Sequence, residues 1–380
     1  MSTLLEQTRT RLDAAARLTE MPDRFLERLS RLHRTQKTTL EVSMDDGTFE
    51  FFEAWHCVHG EVSGPLDASL QIRSSATIDE VEALALLETI KGALLGLPFG
   101  GAAAAVRADR STLSAGELDR LKVCFAERHC STGRTAGHSA LAAGGFAVLQ
   151  GLSAGLRLPP GAKVAIAGLG RVGSHIAKLL GDAGYAIVAA ADSTGGVVSG
   201  DAIAVSKLLA AKRSGVLGAV SGQRGVARTS TDAVIGADCD LLVVAGPPGA
   251  ISRGNARAVR AGVLLELADG GVDAAADDIL DDRGTVVVPD ILAAVGAAAE
   301  RHLMRDTDRV AGEWSPSEVD EGVAGMILPT ARMAWRSART RGVTLRTAGS
   351  ILALERLAVS EPSRAGASVD FTPLRCEERS

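Results

Sequence analysis

No part of this chain restricts its folding more than residues 162–192, AKVAIAGLGRVGSHIAKLLGDAGYAIVAAAD. An apolar run ends in glycine, a helical pattern follows and closes at Gly184, and a second apolar run ends at Asp192. That order is a β-α-β unit, which we place over residues 162–196, and its glycines stand where such a unit meets a dinucleotide. Gly168 permits the tight turn out of the strand, Gly170 lets backbone approach phosphate, and Gly173 lets the helix lie close on the strand. The helix N-terminus offers free N–H groups and the positive end of its dipole to a pyrophosphate. Asp192, 19 positions after Gly173, stands at the strand end, where a carboxylate accepts hydrogen bonds from a ribose diol. This predicts a nicotinamide cofactor held by Gly168, Leu169, Gly170, Arg171, Val172, Gly173, Asp192, Ser193 and, at a later strand end, Ala245. Asp192 favours NAD, while Arg171 is a nearby cation that keeps NADP open.

The unit does not stand alone. DLLVVA (240–245), AGVLLEL (261–267) and TVVVPD (285–290) read as further strands separated by helical or turn segments. Strands alternating with helices imply a parallel sheet with right-handed crossovers. Upstream, residues 3–35 read as two helices, the second capped by Thr19 with Pro22 in its first turn. TTLEVS (38–43) and TFEFFEAWHCV (48–58) read as strands joined at Asp45, Asp46 and Gly47, with a third strand over 68–73. Thr77 caps a helix over 79–95, a glycine turn and alanine run occupy 98–106, and helices cover 114–129 and 140–155. A domain boundary falls in the small polar loop 131–139. Residues 291–312 and 316–358 read as helical, the latter opening on a capping box of Ser315 and Glu318.

Bulk properties narrow the partners to small molecules and other protein subunits. A formal net charge of −5 without a basic block argues against nucleic-acid binding. No run of 18 or more uncharged apolar residues occurs, so no membrane span is expected. The N-terminal MSTLLEQTRTRLDAAARLTE has no apolar stretch of the kind a secretory signal needs. Cys57, Cys124, Cys130, Cys239 and Cys376 are odd in number and lack CxxC spacing, which suits reduced thiols in a cytoplasm.

Five segments carry a resemblance. MDDGTFEFFEAWHCVHGEVSGP (44–65), DEVEALALLETIKGALLGLPFGG (79–101), VAIAGLGRVGSHIAKLLGDAGYAIVAAADSTGG (164–196), ADCDLLVVA (237–245) and VVVPDIL (286–292) follow in order and spacing those of the glutamate/leucine/phenylalanine/valine dehydrogenase family. The chain resembles that family from about residue 20 to residue 358. The resemblance implies an α/β protein with a substrate-binding and oligomerisation domain (1–139), a doubly wound Rossmann dinucleotide-binding domain (140–295), C-terminal helices returning to the first domain (296–360) and a loose tail (361–380). It implies a homo-oligomer, with a related dehydrogenase subunit as a further possible partner. It also implies reversible oxidative deamination, in which hydride passes from an amino-acid α-carbon to NAD(P)+ while a lysine activates water and an aspartate shuttles protons.

Several residues that would carry that chemistry differ here. The family's catalytic lysine aligns with Ala103, inside the run Ala102 to Ala105. After Gly64 and Pro65 the family has a lysine and glycines where this chain has Asp67, Ala68 and Ser69, and the family's arginine aligns with Gln71. The segment bearing the catalytic aspartate is replaced by the short loop 131–139. Two family asparagines align with Asp269 and Ala294, and Lys91 is the one substrate-site lysine retained. Losing one acid–base group typically costs about 10²–10⁴ in rate, so ordinary deamination is not expected.

The candidate catalytic residues are Lys91, as an anion-binding cation, and His138, as a replacement acid–base beside the shortened loop, with His129 and Cys130 as neighbours that could share that role. Asp67 and Asp269 could meet a cationic substrate group. His56 and His59, three apart on a strand, point to opposite faces, and no third ligand is near in sequence, so no metal site is read there. Three functions fit: a divergent oxidoreductase acting on a non-standard amino-acid-derived or carbonyl/imine substrate, which the intact nucleotide motif puts first; an inactive homologue acting as a regulatory or structural subunit; and a non-redox enzyme reusing the cleft.

Overall fold

The computed structural model describes residues 2–60, 68–97, 100–129, 137–222, 225–307 and 314–359. Asp67, Cys130, residues 131–136 of the shortened loop and the tail from 360 lie outside the described residues. Two helices, α1 (Leu4–Ala16) and α2 (Asp23–Leu29), open the fold. α1 begins on a capping box in which Thr3 accepts from the Glu6 N–H and Glu6 accepts from the Thr3 N–H. Thr19 does not cap α2. Its hydroxyl donates back to the Ala16 carbonyl and closes the end of α1, and α2 starts directly after Pro22.

A four-stranded sheet follows, in the order β1 (Leu32–Ser43), β2 (Phe49–His59), β4 (Gly101–Val106), β3 (Ser69–Ile72). β1 starts earlier than its alternation suggested, because β2 pairs with it along its whole length, from Leu32 opposite His59 to Ser43 opposite Phe49. Gly47, at φ 84°, turns the hairpin as expected. Side chains on a strand alternate between faces, and each face of this sheet takes one helix. Leu40, Phe52, Ala54, Ala104 and Val106 pack with Leu121 and Phe125 of α4 (Ala115–His129). Trp55, Cys57, Ala103 and Ala105 pack with Val81, Leu84 and Ala85 of α3 (Ile78–Leu94). The alanine run is thus a buried strand. Gly101 shows how tightly α3 lies on it, since a Cβ there would stand 2.1 Å from the Ala85 carbonyl oxygen.

α5 (His138–Leu156) leads to the second sheet. By length and composition it could cross a bilayer, yet it serves as a core helix, with buried Ala142, Val148, Leu149 and Leu152 joining the largest hydrophobic cluster. The second sheet runs β11 (Val286–Val288), β10 (Val263–Glu266), β9 (Leu241–Val244), β5 (Lys163–Ala167), β6 (Ala186–Asp192), β7 (Gly195–Ser199), β8 (Val226–Thr229). The stretch from β11 to β6 is parallel, as the alternation of strands and helices predicted. β7 and β8 add an antiparallel margin that was not foreseen, because β7 follows Asp192 through a two-residue turn instead of a crossover helix.

α6 (Arg171–Asp182), α7 (Val205–Arg213), α8 (Thr231–Ile235) and α9 (Ala274–Asp282) connect these strands. α10 (Asp290–Ala293), α11 (Gly296–Thr307), α12 (Pro316–Arg341) and α13 (Leu345–Val359) are the last of the described elements. The capping box of Ser315 and Glu318 opens α12 as expected. The predicted helix 316–358 is two helices, since Gly342 at φ 66° ends α12.

A buried charge cluster ties the chain ends to the second sheet. Arg346 of α13 pairs with Glu266 at 2.7 Å, Asp290 at 2.9 Å and Asp277 at 3.3 Å. Arg11 of α1 reaches the same Asp277 at 2.8 Å and donates to the Val272 carbonyl at 2.7 Å. One core therefore runs from α1 and α3 through α13 and α5 to β5. Asp269, just past the C-terminal end of β10, meets Lys91 in the last turn of α3, and ligands of open parallel sheets bind at strand ends of this kind.

Candidate functional site

The glycine motif forms the turn between β5 and α6. Gly168 sits at φ 112°, a conformation that side chains disfavour, and a Cβ there would lie 2.4 Å from the Ala245 carbonyl carbon. Gly173 is equally constrained, since its Cβ would lie 2.0 Å from the Gly168 carbonyl oxygen. Gly170 differs. A Cβ there would meet nothing within 4 Å, so this is the side on which the turn leaves room. Gly170 is also the N-cap of α6, and no side chain caps that helix. The backbone N–H groups of Gly168 and Leu169 turn inward to the Ala191 carbonyl, at 3.0 and 2.7 Å. Arg171 is exposed, Val172 half-buried and Leu169 buried. An uncapped helix N-terminus behind open space fits a pyrophosphate.

Asp192 ends β6 across this turn. One carboxylate oxygen accepts from the backbone and hydroxyl of Thr194, at 2.8 and 2.6 Å. The other meets the Lys212 ammonium of α7 at 2.6 Å. Burial would push this carboxyl up, but Lys212 and Thr194 outweigh it and hold it below the ordinary aspartate range. Ser193 next to it is exposed, and half-buried Ala245 follows β9, its N–H on the Ala167 carbonyl at 2.9 Å. Lys212 was not foreseen. Its position 20 residues past Asp192, in the last turn of a helix, is a tertiary fact that no local pattern marks.

On the α3 side of the opening, Lys91 is almost wholly buried, at 1% exposure. Its ammonium donates to Asp269 at 2.6 Å and to Glu88 at 3.1 Å. Asp269 lies just past β10, so the first of these pairs spans the two sheets. Glu88 in turn pairs with Arg301 of α11. Burial would pull the Lys91 ammonium down, but the charges of Asp269 and Glu88 outweigh it and hold it above the ordinary lysine range. Burial pushes the Asp269 carboxyl up, more than Lys91 pulls it down. Glu88 stays below its ordinary range because Arg301 and Lys91 overcome its burial. A lysine held so firmly protonated is no general base near neutrality.

Lys91 and Asp269 thus meet, although they were read separately. Glu88 could have been found from its i, i+3 spacing to Lys91 on a helix. Arg301 carries no such signal, 213 positions from Glu88. Ala103 is buried in β4, where its methyl faces α3. Ala294, at 1% exposure, follows α10. Gln71 on β3 accepts from Arg73 at 2.5 Å.

His138 is the first residue of α5, half-buried, with its imidazole lowered by burial and by the cations Arg171, His175 and Arg110. It therefore stands near the glycine turn, beside Arg171. His129 is not at the cleft. It lies beneath α4 on the opposite face of the first sheet from α3, against Phe125 and His56 at ring separations of 4.4 and 5.4 Å, with Thr38 3.0 Å from its Nε2. The α4 face takes β2 residues of His56 parity, and the last turn of α4 follows them. His59 points the other way, to the Thr89 hydroxyl at 2.9 Å and the Leu29 carbonyl at 2.6 Å.

Comparison with known proteins places the whole chain. The profile of the Glutamate/Leucine/Phenylalanine/Valine dehydrogenase family matches residues 133–364, and that of the Glu/Leu/Phe/Val dehydrogenase dimerisation domain matches residues 33–137. The chain is 30% identical to a glutamate dehydrogenase of Thermotoga maritima, over 95% of this chain and 98% of that one. It is 27% identical to an NADP-specific glutamate dehydrogenase of Synechocystis sp., over 91% and 94%. Its relatives include NAD-specific enzymes as well. Among solved structures, a hetero-hexameric glutamate dehydrogenase from Thermus thermophilus in a Leu-bound form matches with a TM-score of 0.85 and 27% identity, over 96% of this chain and 97% of that one.

Proposed function

Because this chain belongs to the glutamate/leucine/phenylalanine/valine dehydrogenase family, we propose that it binds a nicotinamide dinucleotide at the β5–α6 turn, does not deaminate amino acids, and works as a non-catalytic subunit of an oligomer. The observation that carries this reading is the state of the crevice opposite the turn. The position of the expected catalytic lysine holds the Ala103 methyl, which can neither take nor give a proton. The one retained lysine, Lys91, spends its charge on Asp269 and Glu88. The sequence alone put a divergent oxidoreductase first. The closed network of Lys91, Asp269, Glu88 and Arg301 reverses that order, because a substrate carboxylate would have to compete with two carboxylates of the chain itself.

The nucleotide side fits its ligand. Gly170 would lie against the pyrophosphate, with Gly168 and Gly173 shaping the turn and Leu169, Arg171 and Val172 between them, and Asp192 with Ser193 would face the ribose next to it. The bound dinucleotide would supply redox chemistry; the chain's own groups bind and orient it. Lys212 on Asp192 keeps both nicotinamide forms open, since the carboxylate could accept from a ribose diol if the ion pair opened and the ammonium could meet a 2′-phosphate. Oligomerisation follows from the match to the dimerisation domain, and the hetero-hexameric structure named above supports pairing with a related dehydrogenase as well as with copies of itself. The limits 1–139, 140–295 and 296–360 for the three parts, and a cytoplasmic site of action, belong to the same proposal.

A second reading keeps one observation in its favour. The glycine turn is intact and the Lys91 charge is met by the chain's own carboxylates, which would suit redox chemistry on an uncharged carbonyl or imine. Purification from the native cell followed by native mass spectrometry separates the two. A stable assembly with a second family member supports the subunit reading. An assembly of this chain alone that oxidises NADH with a neutral carbonyl compound supports the other and overturns the first.

A further inference from the structure

We propose that Asp269 is a built-in occupant of the Lys91 anion seat, so that the Lys91–Asp269 pair closes the crevice between the two sheets to external carboxylates. The inference rests on the reading that this crevice does not deaminate amino acids. Lys91 projects from the last turn of α3, and Asp269 comes from the segment just past β10, so their 2.6 Å contact crosses the opening where the strand ends face the first sheet. Lys91 is 1% exposed on its side chain and Asp269 22%, so of the two partners Asp269 is the one that meets solvent.

The local charges already meet one another. Lys91 and Arg301 face Glu88 and Asp269, and Asp290 adds a further negative charge to the field at Lys91. A ligand carboxylate that displaced Asp269 would leave that group unpaired near Glu88 and Asp290, both of which already push its carboxyl up. Removing one partner of a buried pair leaves the other uncompensated, and that penalty falls on any such ligand. Neutralising Asp269 relieves that crowding of carboxylates. Asp269→Asn keeps the shape of the side chain, leaves Glu88 as the carboxylate in contact with Lys91 among the described residues, and removes one negative charge beside the ammonium that a ligand carboxylate could replace.

The test is calorimetric titration of the full-length protein with two probes, 4-methyl-2-oxopentanoate and 2-oxoglutarate, with NADH present. The wild type should show no saturable binding. Asp269→Asn should bind at least one probe roughly tenfold or more tighter than the wild type. Lys91→Met/Asp269→Asn, which removes the cation as well, should lose that gain. Wild-type binding as tight as that of Asp269→Asn, or no gain in a variant that melts like the wild type, overturns the inference. A measurement on the unaltered protein covers a variant that fails to fold: reductive methylation read by mass spectrometry should leave Lys91 unmodified, and ready labelling refutes the closed seat. Wild-type turnover of amino acids would remove the underlying reading, whereas a silent Asp269→Asn removes only the role given to Asp269.

Discussion

Two glycines of one turn should respond differently to the same substitution. Gly170→Ala adds a methyl that meets nothing within 4 Å in the free protein. Its φ of −83° is one that alanine adopts freely. Replacing a glycine N-cap by alanine costs about 1 kcal/mol or less, so the melting temperature should move by a few degrees at most. The same methyl points into the space assigned to the pyrophosphate. An added methyl against a close-packed partner costs about 1–3 kcal/mol, which is roughly 5- to 150-fold in dissociation constant. Gly173→Ala is the comparator. Its methyl would lie 2.0 Å from the Gly168 carbonyl oxygen, about 1 Å or more inside the closest ordinary contact, and neither backbone can yield without lifting α6 off β5. That variant should lose stability as well as affinity. Fluorescence titration with NADH and NADPH, beside thermal melting, reads both effects. A Gly170→Ala protein that melts normally and binds either nucleotide as tightly as the wild type would refute the placement of the phosphates.

Other consequences follow from the charges. Lys212→Ala should free Asp192 from its ion pair and shift the ratio of NADPH to NADH affinity towards NADH; an unchanged ratio would show that Lys212 does not face the 2′ position. Arg346→Ala should destabilise the fold by about 3–5 kcal/mol, because it strands Glu266 and Asp290 in the interior, and a urea midpoint close to that of the wild type would contradict the role given to this cluster. His129 should weaken the protein in acid. Burial, then His56, Arg34 and Arg128, push its imidazole from 6.5 down to about 4, so below pH 6.5 the unfolded chain takes up a proton that the folded chain refuses. Stability should fall as pH drops from 6.5 towards 4, with most of the loss within that window. His129→Gln should flatten that slope in urea melts at pH 7 and pH 5, and an equal slope in the variant would assign the effect elsewhere.

How much of this was legible depended on how local the cause was. The β5–α6–β6 unit could be read because each glycine answers a contact inside the same few residues or at the neighbouring strand end: Gly173 against Gly168, Gly168 against Ala245. The opposite facing of His56 and His59 followed from strand parity alone. Local rules failed at Gly195, where two glycines begin a strand that turns straight back on β6 through Ser193 and Thr194 and takes β8, some thirty residues on, as its other partner. They failed at Thr19 for a smaller reason, since a hydroxyl can close the helix behind it as well as cap the one ahead. The Lys91 network was only half visible. Lys91 and Asp269 are 178 positions apart, and no periodicity links them to each other or to Arg301. His129 reads as a loop-side residue in sequence, and only the packing of α4 on β1 and β2 shows it turned into the core.

The central claim is that the chain keeps the nucleotide half of its family and not the deaminating half. A reductive amination assay tests it most directly. Protein shown to be folded and saturated with NADH or NADPH is supplied with ammonium and 2-oxoglutarate or 4-methyl-2-oxopentanoate, and absorbance at the nicotinamide band is followed. The account predicts no nucleotide oxidation above the protein-free rate with either acid. Sustained, protein-dependent oxidation with amino-acid formation would contradict it.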